Sequence, residues 1–196
     1  MLISIIIPAF DRRSTGWKAI ESALAQTLDR SQYEIVTVVG VTPDRDARLL
    51  ELLPRCDTVV AIDADSGRAG SEIHFYMAGL RMAKGDVLFF VEGHTELLPD
   101  CCANISAYFR RHPDSAIAWA PRVNRNRTPL GALIGQINLR AESVAESRGW
   151  FSLGANSVIR KSLFVELGGF DAQFFRMNEN VLFERIRQRR IPIGKI

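Results

Sequence analysis

Short apolar runs rich in β-branched residues alternate with segments whose apolar positions recur every three or four residues over residues 1–120. The runs 2–7, 34–39, 58–62, 87–91 and 116–120 predict strands, the first ended by Pro8. Between them, residues 14–27 set Trp17, Ile20 and Leu24 on one helical stripe behind a Ser14 N-cap. Residues 44–53 predict a helix capped by Asp44 and closed by Pro54, and 71–83 one that buries Ile73, Met77 and Leu80. A fourth helix runs to about residue 111 with Pro99 in its first turn. This order predicts an α/β fold with a mostly parallel central sheet and helices on both faces. Beyond it the pattern weakens. Residues 122–131 read as a basic loop, 132–147 as a helix, 150–159 as strand, Gly168-Gly169 as a turn, and 178–190 as a last helix.

The run 87–91 carries the most information. Gly85 and Asp86 lead into it, and it stops on Glu92, Gly93 and His94. A run without alternation reads as a strand buried on both faces. In open α/β sheets, ligands bind beyond the carboxyl ends of the strands. A carboxylate and an imidazole flanking a glycine are thus aimed at a ligand.

Composition narrows the class. A chain of 196 residues with 47% hydrophobic and 24% charged positions fits one globular domain. No apolar run approaches the roughly 18 residues that span a bilayer. The stretch LISIIIPAF lacks a basic leader and is broken by Pro8, so a cytoplasmic location is expected. Cys101 and Cys102 are adjacent and Cys56 stands apart, which makes neither a metal-ligand nor a disulfide framework; buried thiols are expected, as are core positions for Met77, Met82, Phe89 and Phe90. The net charge of +3 is unevenly divided: residues 1–100 carry 10 basic against 15 acidic groups, residues 101–196 carry 15 against 7. The clusters RVNRNR (122–127) and RIRQRR (185–190) read either as solvated faces or as attraction to phosphates of a substrate or an anionic membrane. Neither is interleaved with aromatic residues, which argues against nucleic acid as a partner.

Three segments together resemble one family. They are SIIIPAFDR (4–12), AGLRMAKGDVLFFVEGHTELLPD (78–100) and GANSVIRKSLFVELGGFDAQFFRMNENVLFERIRQR (154–189), with AIESALAQT (19–27) between the first two. In order and spacing they are similar to family 2 glycosyltransferases, which have the Rossmann-like GT-A fold. The resemblance covers nearly the whole chain as one domain, with residues 1–121 as its nucleotide-binding half and 122–196 as an acceptor-side half cut short at its end. It implies inverting transfer of a sugar from a nucleotide-diphosphate donor to a hydroxyl of a glycan or lipid-linked acceptor, in cell-surface polysaccharide or glycolipid synthesis.

The same resemblance assigns the site. Pro8, Ala9, Phe10 and Arg12 begin the nucleotide socket, with Phe10 either stacking on the base or packing beneath the loop. The family's Asp-Asp-Gly-type turn is replaced by Val39, Gly40 and Val41, which leaves Gly40 at the socket without the usual acid. Arg68 falls where a basic residue meets the nucleotide, or lies on plain surface. Glu92, Gly93 and His94 stand in the place of the family's Asp-x-Asp. There, Glu92 and His94 bind a divalent cation (Mn²⁺ or Mg²⁺), or His94 bonds the diphosphate directly. The base position holds Glu179-Asn180 instead of Glu-Asp. Glu179 is the candidate base, although an acid in a first turn also serves its own helix; Asp171 is the reserve. Arg185 to Arg190 lie near the chain end, where a peripheral contact with an anionic membrane suits a lipid-linked acceptor. The competing reading is a catalytically silent GT-A-like domain that binds a nucleotide or a partner. A dinucleotide oxidoreductase is disfavoured, because the first strand runs into PAFDRR without Gly-x-Gly-x-x-Gly.

Overall fold

The computed structural model describes residues 1–9, 16–41, 46–62, 72–121, 123, 128–147, 156–171 and 178–196, with the backbone alone for 72, 141–147, 178 and 179. In chain order the elements are β1 (Ile3–Pro8), α1 (Gly16–Leu24), β2 (Tyr33–Gly40), α2 (Ala47–Leu52), β3 (Thr58–Ile62), α3 (Glu72–Met82), β4 (Val87–Phe90), α4 (Cys101–Arg111), β5 (Ile117–Trp119), α5 (Pro129–Ser147), β6 (Ser157–Arg160), α6 (Lys161–Glu166), α7 (Asn178–Gln188) and β7 (Gly194–Lys195).

They form one sheet in the order β3-β2-β1-β4-β6-β5-β7. The first four strands are parallel, as the alternation predicts. The fifth does not extend them directly. β6 lies antiparallel between β4 and β5, so the second half of the chain supplies a strand inside the sheet. Its Ser157, Val158 and Ile159 are buried, which is what an inner strand requires.

The apolar run of β4 divides between two faces by strand geometry. Val87, Phe89 and Val91 pack with α1, α2 and α4 through Ile20, Leu52 and Cys102. Leu88 and Phe90 face α3, α6 and α7. There Phe90, Phe164 and Phe170 pack with ring centroids 5.1–5.5 Å apart, and Tyr76 meets Phe90 edge-on at 5.3 Å.

The entry to β4 is pinned from below. Glu34 is buried and its Oε1 accepts from the Ser4 hydroxyl (2.5 Å), Lys84 N (2.5 Å) and Gly85 N (3.1 Å). Gly85 is required: a Cβ there would sit 2.5 Å from Ser4 Oγ and 2.7 Å from Ser4 N.

Several local expectations shift. Asp46, not Asp44, caps α2 by accepting from Arg48 N; Asp44 and Ser14 lie outside the described residues. Pro99 precedes α4 instead of entering its first turn, and its carbonyl accepts from Thr27 N at 2.8 Å. Met82 is not a core residue; it points outward from the last turn of α3 and is 47% exposed. Cys102 is buried and Cys56 and Cys101 are partly so; burial raises all three thiols, Cys101 to about 12, which keeps them protonated and unreactive.

Candidate functional site

Strand register brings the predicted residues to one edge. Pro8 pairs with Val38, Ala9 N donates to Val38 O, and Val91 N donates to Ile6 O. The carboxyl ends of β2, β1 and β4 therefore lie side by side, with Gly40, Pro8 with Ala9, and Glu92 to His94 at their tips. Phe10, Arg12 and Arg68 lie outside the described residues.

Gly93 explains the spacing of the acid and the imidazole. A Cβ on it would stand 2.3 Å from the Pro8 carbonyl oxygen. The chain after β4 crosses the end of β1 so closely that only a residue without a side chain fits. Turning there, it lays Glu92 Oε2 3.1 Å from His94 Nε2, with Glu92 mostly sheltered at 21% exposure and His94 open at 57%.

The outgoing loop is then clamped to α1. Ser22 Oγ accepts from Leu97 N at 2.9 Å. Gln26 is buried; its amide donates to Leu98 O and its Oε1 accepts from Cys102 N. These polar side chains answer backbone groups that would otherwise be orphaned, and they fix where the Glu92–His94 turn ends.

A cleft of about 690 Å³ opens beside this turn, bounded by Glu92, His94, Leu97, Asn104, Ala120 and Asn156. That is the size of a small-molecule site. Lys18 and Glu96, 3.9 Å apart, stand at its wall.

Asn156 is the residue that the sequence did not single out. It is 4% exposed and sits at φ +63°, a left-handed conformation that Asn tolerates better than most residues. Its backbone joins the two strand ends, N to Phe90 O and O from Ala120 N. Its Nδ2 is buried with no hydrogen-bond partner among the described residues. A buried amide donor left unsatisfied costs about 1–3 kcal/mol, so its retention in the wall of a ligand-sized cleft has a natural reason in a ligand. The only sequence signal is an asparagine just ahead of a strand in GANSVIR.

The candidate bases are placed less completely. Asp171 lies after the Gly168-Gly169 turn, where both glycines have positive φ, and Arg185 Nη2 approaches its Oδ2 at 3.4 Å. Arg185 also donates to the Leu167 and Gly169 carbonyls. Asp171 is thus tied into the packing of α6 on α7. Glu179 lies in the first turn of α7, its side chain outside the described residues, and Asn180 beside it is exposed.

For a divalent ion, Glu92 and His94 provide a partial fit. Adjacent positions around an octahedral ion with bonds of about 2.1 Å lie about 3.0 Å apart, close to the 3.1 Å observed. Carboxylate plus imidazole suits Mn²⁺ better than Mg²⁺. No group of three or more such ligands occurs among the described residues, so this pair by itself would supply only part of an ion's shell.

Comparison with known proteins agrees with this architecture. Over its full length the chain is similar to S. aureus TarS residues 1–349 solved with UDP, at TM-score 0.71 and 14% identity, and it covers 58% of that chain. It is similar to the same protein with UDP-GlcNAc at TM-score 0.70 and 15% identity, covering 56%. A third likeness is to the mannosyltransferase PcManGT from Pyrobaculum calidifontis with GDP-Man and Mn²⁺, at TM-score 0.69 and 15% identity over 99% of this chain and 54% of that one. These likenesses establish the GT-A fold. In sequence the chain is 24% identical over 174 residues to an uncharacterized glycosyltransferase of Haemophilus influenzae, covering 86% of this chain and 56% of that protein. It therefore spans little more than half the length of its relatives. The glycosyl transferase family 2 model matches residues 4–177, from the first strand to the approach to α7, and by that match the chain belongs to glycosyl transferase family 2.

Proposed function

We propose that this domain is an inverting glycosyltransferase that moves a sugar from a nucleotide-diphosphate donor to a hydroxyl of a glycan or lipid-linked acceptor. Its setting is the synthesis of cell-surface polysaccharide or glycolipid on the cytoplasmic side. The observation that carries it is the Glu92–His94 pair at the end of β4, beside the tips of β1 and β2 and open to a 690 Å³ cleft. TarS with UDP-GlcNAc and PcManGT with GDP-Man support a nucleotide-sugar donor.

In this reading Pro8, Ala9, Phe10, Arg12, Gly40 and Arg68 receive the nucleotide. Glu92 and His94 face the diphosphate and hold Mn²⁺ or Mg²⁺, which when bound offsets charge on the leaving group. Glu179 takes the proton from the acceptor hydroxyl as its oxygen attacks the anomeric carbon, and the nucleoside diphosphate departs from the opposite face. Asp171 is the weaker candidate base, since it must first release Arg185. That lock, together with Asn180 in the second position of the base motif, favours the second reading, a donor-binding domain without turnover.

Thermal shift and nucleotide release on one panel of nucleotide sugars, with and without Mn²⁺, separate the two. At a hundredfold excess over Kd, a matching donor stabilises the fold by about 2.7 kcal/mol, a rise in Tm of about 5–11 °C for a chain of this size. Stabilisation with release of nucleoside diphosphate is expected. Stabilisation without release makes the domain silent, and no stabilisation by any donor removes the proposal.

Asn156 offers a finer test. Asn156→Gly suits φ +63° and deletes the orphan donor, so Tm is expected to hold or rise. If that amide serves the bound sugar, donor KM rises about tenfold, the worth of one hydrogen bond. A Tm that holds with KM unchanged would show that the amide meets no donor.

A further inference from the structure

The cleft and the nucleotide edge share the turn between them. Glu92 and His94 border the cleft, but Pro8, Ala9 and Gly40, the described residues of the nucleotide edge, do not. Its walls come instead from the loop after β4, the start of α4, the end of β5, α5 and the residue ahead of β6. A donor whose nucleotide lies over β1 and β2, and whose diphosphate meets Glu92, leaves this space to the molecule that attacks it.

The polar groups there suit hydroxyls. Asp100 occupies the N-cap of α4, where an aspartate ordinarily accepts from a backbone N–H of the first turn. It makes no side-chain cap bond and stands exposed at the cleft. Asn104, also exposed and bordering the cleft, follows one turn on; its N–H donates to the Asp100 carbonyl at 2.9 Å, which sets the two side chains on one face. A carboxylate accepts from hydroxyls, and a carboxamide both donates and accepts. Asn138 and Asn156 bring two more carboxamides to the same space, and Asn156 Nδ2 is the buried donor left without a partner among the described residues. Phe89, Leu97, Ala120 and Pro121 supply apolar surface for the C–H faces of a sugar ring. A few placed polar groups on an apolar lining is the usual build of a small-molecule site.

Charge on the α4 side disfavours phosphate. Residues 92–104 are described without a break and carry Glu92, Glu96 and Asp100, with His94 as their one basic group. The Lys18 amine beside them lies 3.9 Å from Glu96, which matches its charge. A phosphate laid against Asp100 would therefore meet a carboxylate and no cation from that wall.

We infer, on the footing of the donor site proposed above, that this cleft binds the acceptor through an uncharged sugar, which Asp100 and Asn104 select. The test is titration of the full chain, followed by saturation-transfer NMR, with methyl β-glycosides of glucose, galactose and N-acetylglucosamine and with glucose 6-phosphate. At least one glycoside is expected to bind wild type, and glucose 6-phosphate to bind more weakly than methyl glucoside. The double variant Asp100→Ala, Asn104→Ala should raise the glycoside Kd by about tenfold, the worth of one or two hydrogen bonds. Its Tm should hold, because both side chains are exposed and Asp100 caps nothing. The rise in Tm with a nucleotide sugar should be the same in both proteins. Equal glycoside affinity in the two proteins, no binding of any glycoside, or tighter binding of glucose 6-phosphate would overturn the inference, while an intact donor shift would leave the donor site standing. A double variant that lost the donor shift would overturn it too, by giving the cleft to the donor. No donor shift in wild type would remove both.

Discussion

Glu92→Gln is expected to lower turnover by about 10²–10³-fold, the equivalent of about 3–4 kcal/mol of barrier, with Tm unchanged. The substitution is isosteric, and the side chain lies at the cleft mouth rather than in the core. What changes is charge. A carboxylate at the strand end either accepts ribose hydroxyls or holds a cation against the diphosphate, and a neutral amide does both poorly. His94→Ala separates the alternatives. If His94 and Glu92 share an ion, the Mn²⁺ concentration for half-maximal activity should rise by at least about 10–100-fold, since losing a ligand costs no less than losing one of the outer partners that support it. If His94 bonds the diphosphate directly, that concentration stays put, or activity ignores chelators, while donor KM rises. Full activity in Glu92→Gln would mean that the diphosphate is neutralised elsewhere, and the reading of residues 92–94 as its site would fall.

How much of this was legible in the sequence depends on the range of the interaction that fixes each feature. β4 and the helices packed on its neighbours were readable, because a continuous β-branched run and a period of 3.6 are local signals. The site edge followed from them, since parallel strands that share a register end together. The place of β6 was not readable. Its pairing with both β4 and β5 is decided by contacts some 40 to 70 residues apart, and nothing in SVIR itself announces an antiparallel insertion. The 132–147 helix reads weakly because a core-facing stripe is the usual signal, and Leu133, Ile134 and Ile137 stand exposed instead. Arg185 to Arg190 read as one cationic cluster, yet most of it is neutralised by acids on α7 itself and across the turn, pairs that a linear count of charge does not see. Asn156 was hidden for the same reason: an unmet amide is a property of its surroundings. Glu179, carried by the resemblance, still rests on it.

Gly93→Ala should disable the protein through geometry alone. The new Cβ would begin 2.3 Å from Pro8 O, and contacts below 3.0 Å are essentially never seen, so one backbone must move. Pro8 cannot yield easily. β1 is bonded to β2 on one side and β4 on the other, and Ala9 N is fixed to Val38 O at 2.7 Å. Residues 92–94 must therefore swing outward, although Leu97 N and Leu98 O hold the loop to Ser22 and Gln26. Overpacking of this kind costs about 2 kcal/mol, a drop in Tm of about 4–8 °C for a chain of this size. Because the displaced segment carries both Glu92 and His94, nucleotide-sugar turnover should fall by more than 10²-fold, beyond what lost stability explains. Gly16→Ala is the control: its Cβ would meet Ala9 at 3.2 Å, a contact that a few tenths of an ångström relieves. A Gly93→Ala protein that lost stability but kept its activity would show that residues 92–94 are part of the fold and not of the site, since no displacement of that turn can spare the two side chains it aims.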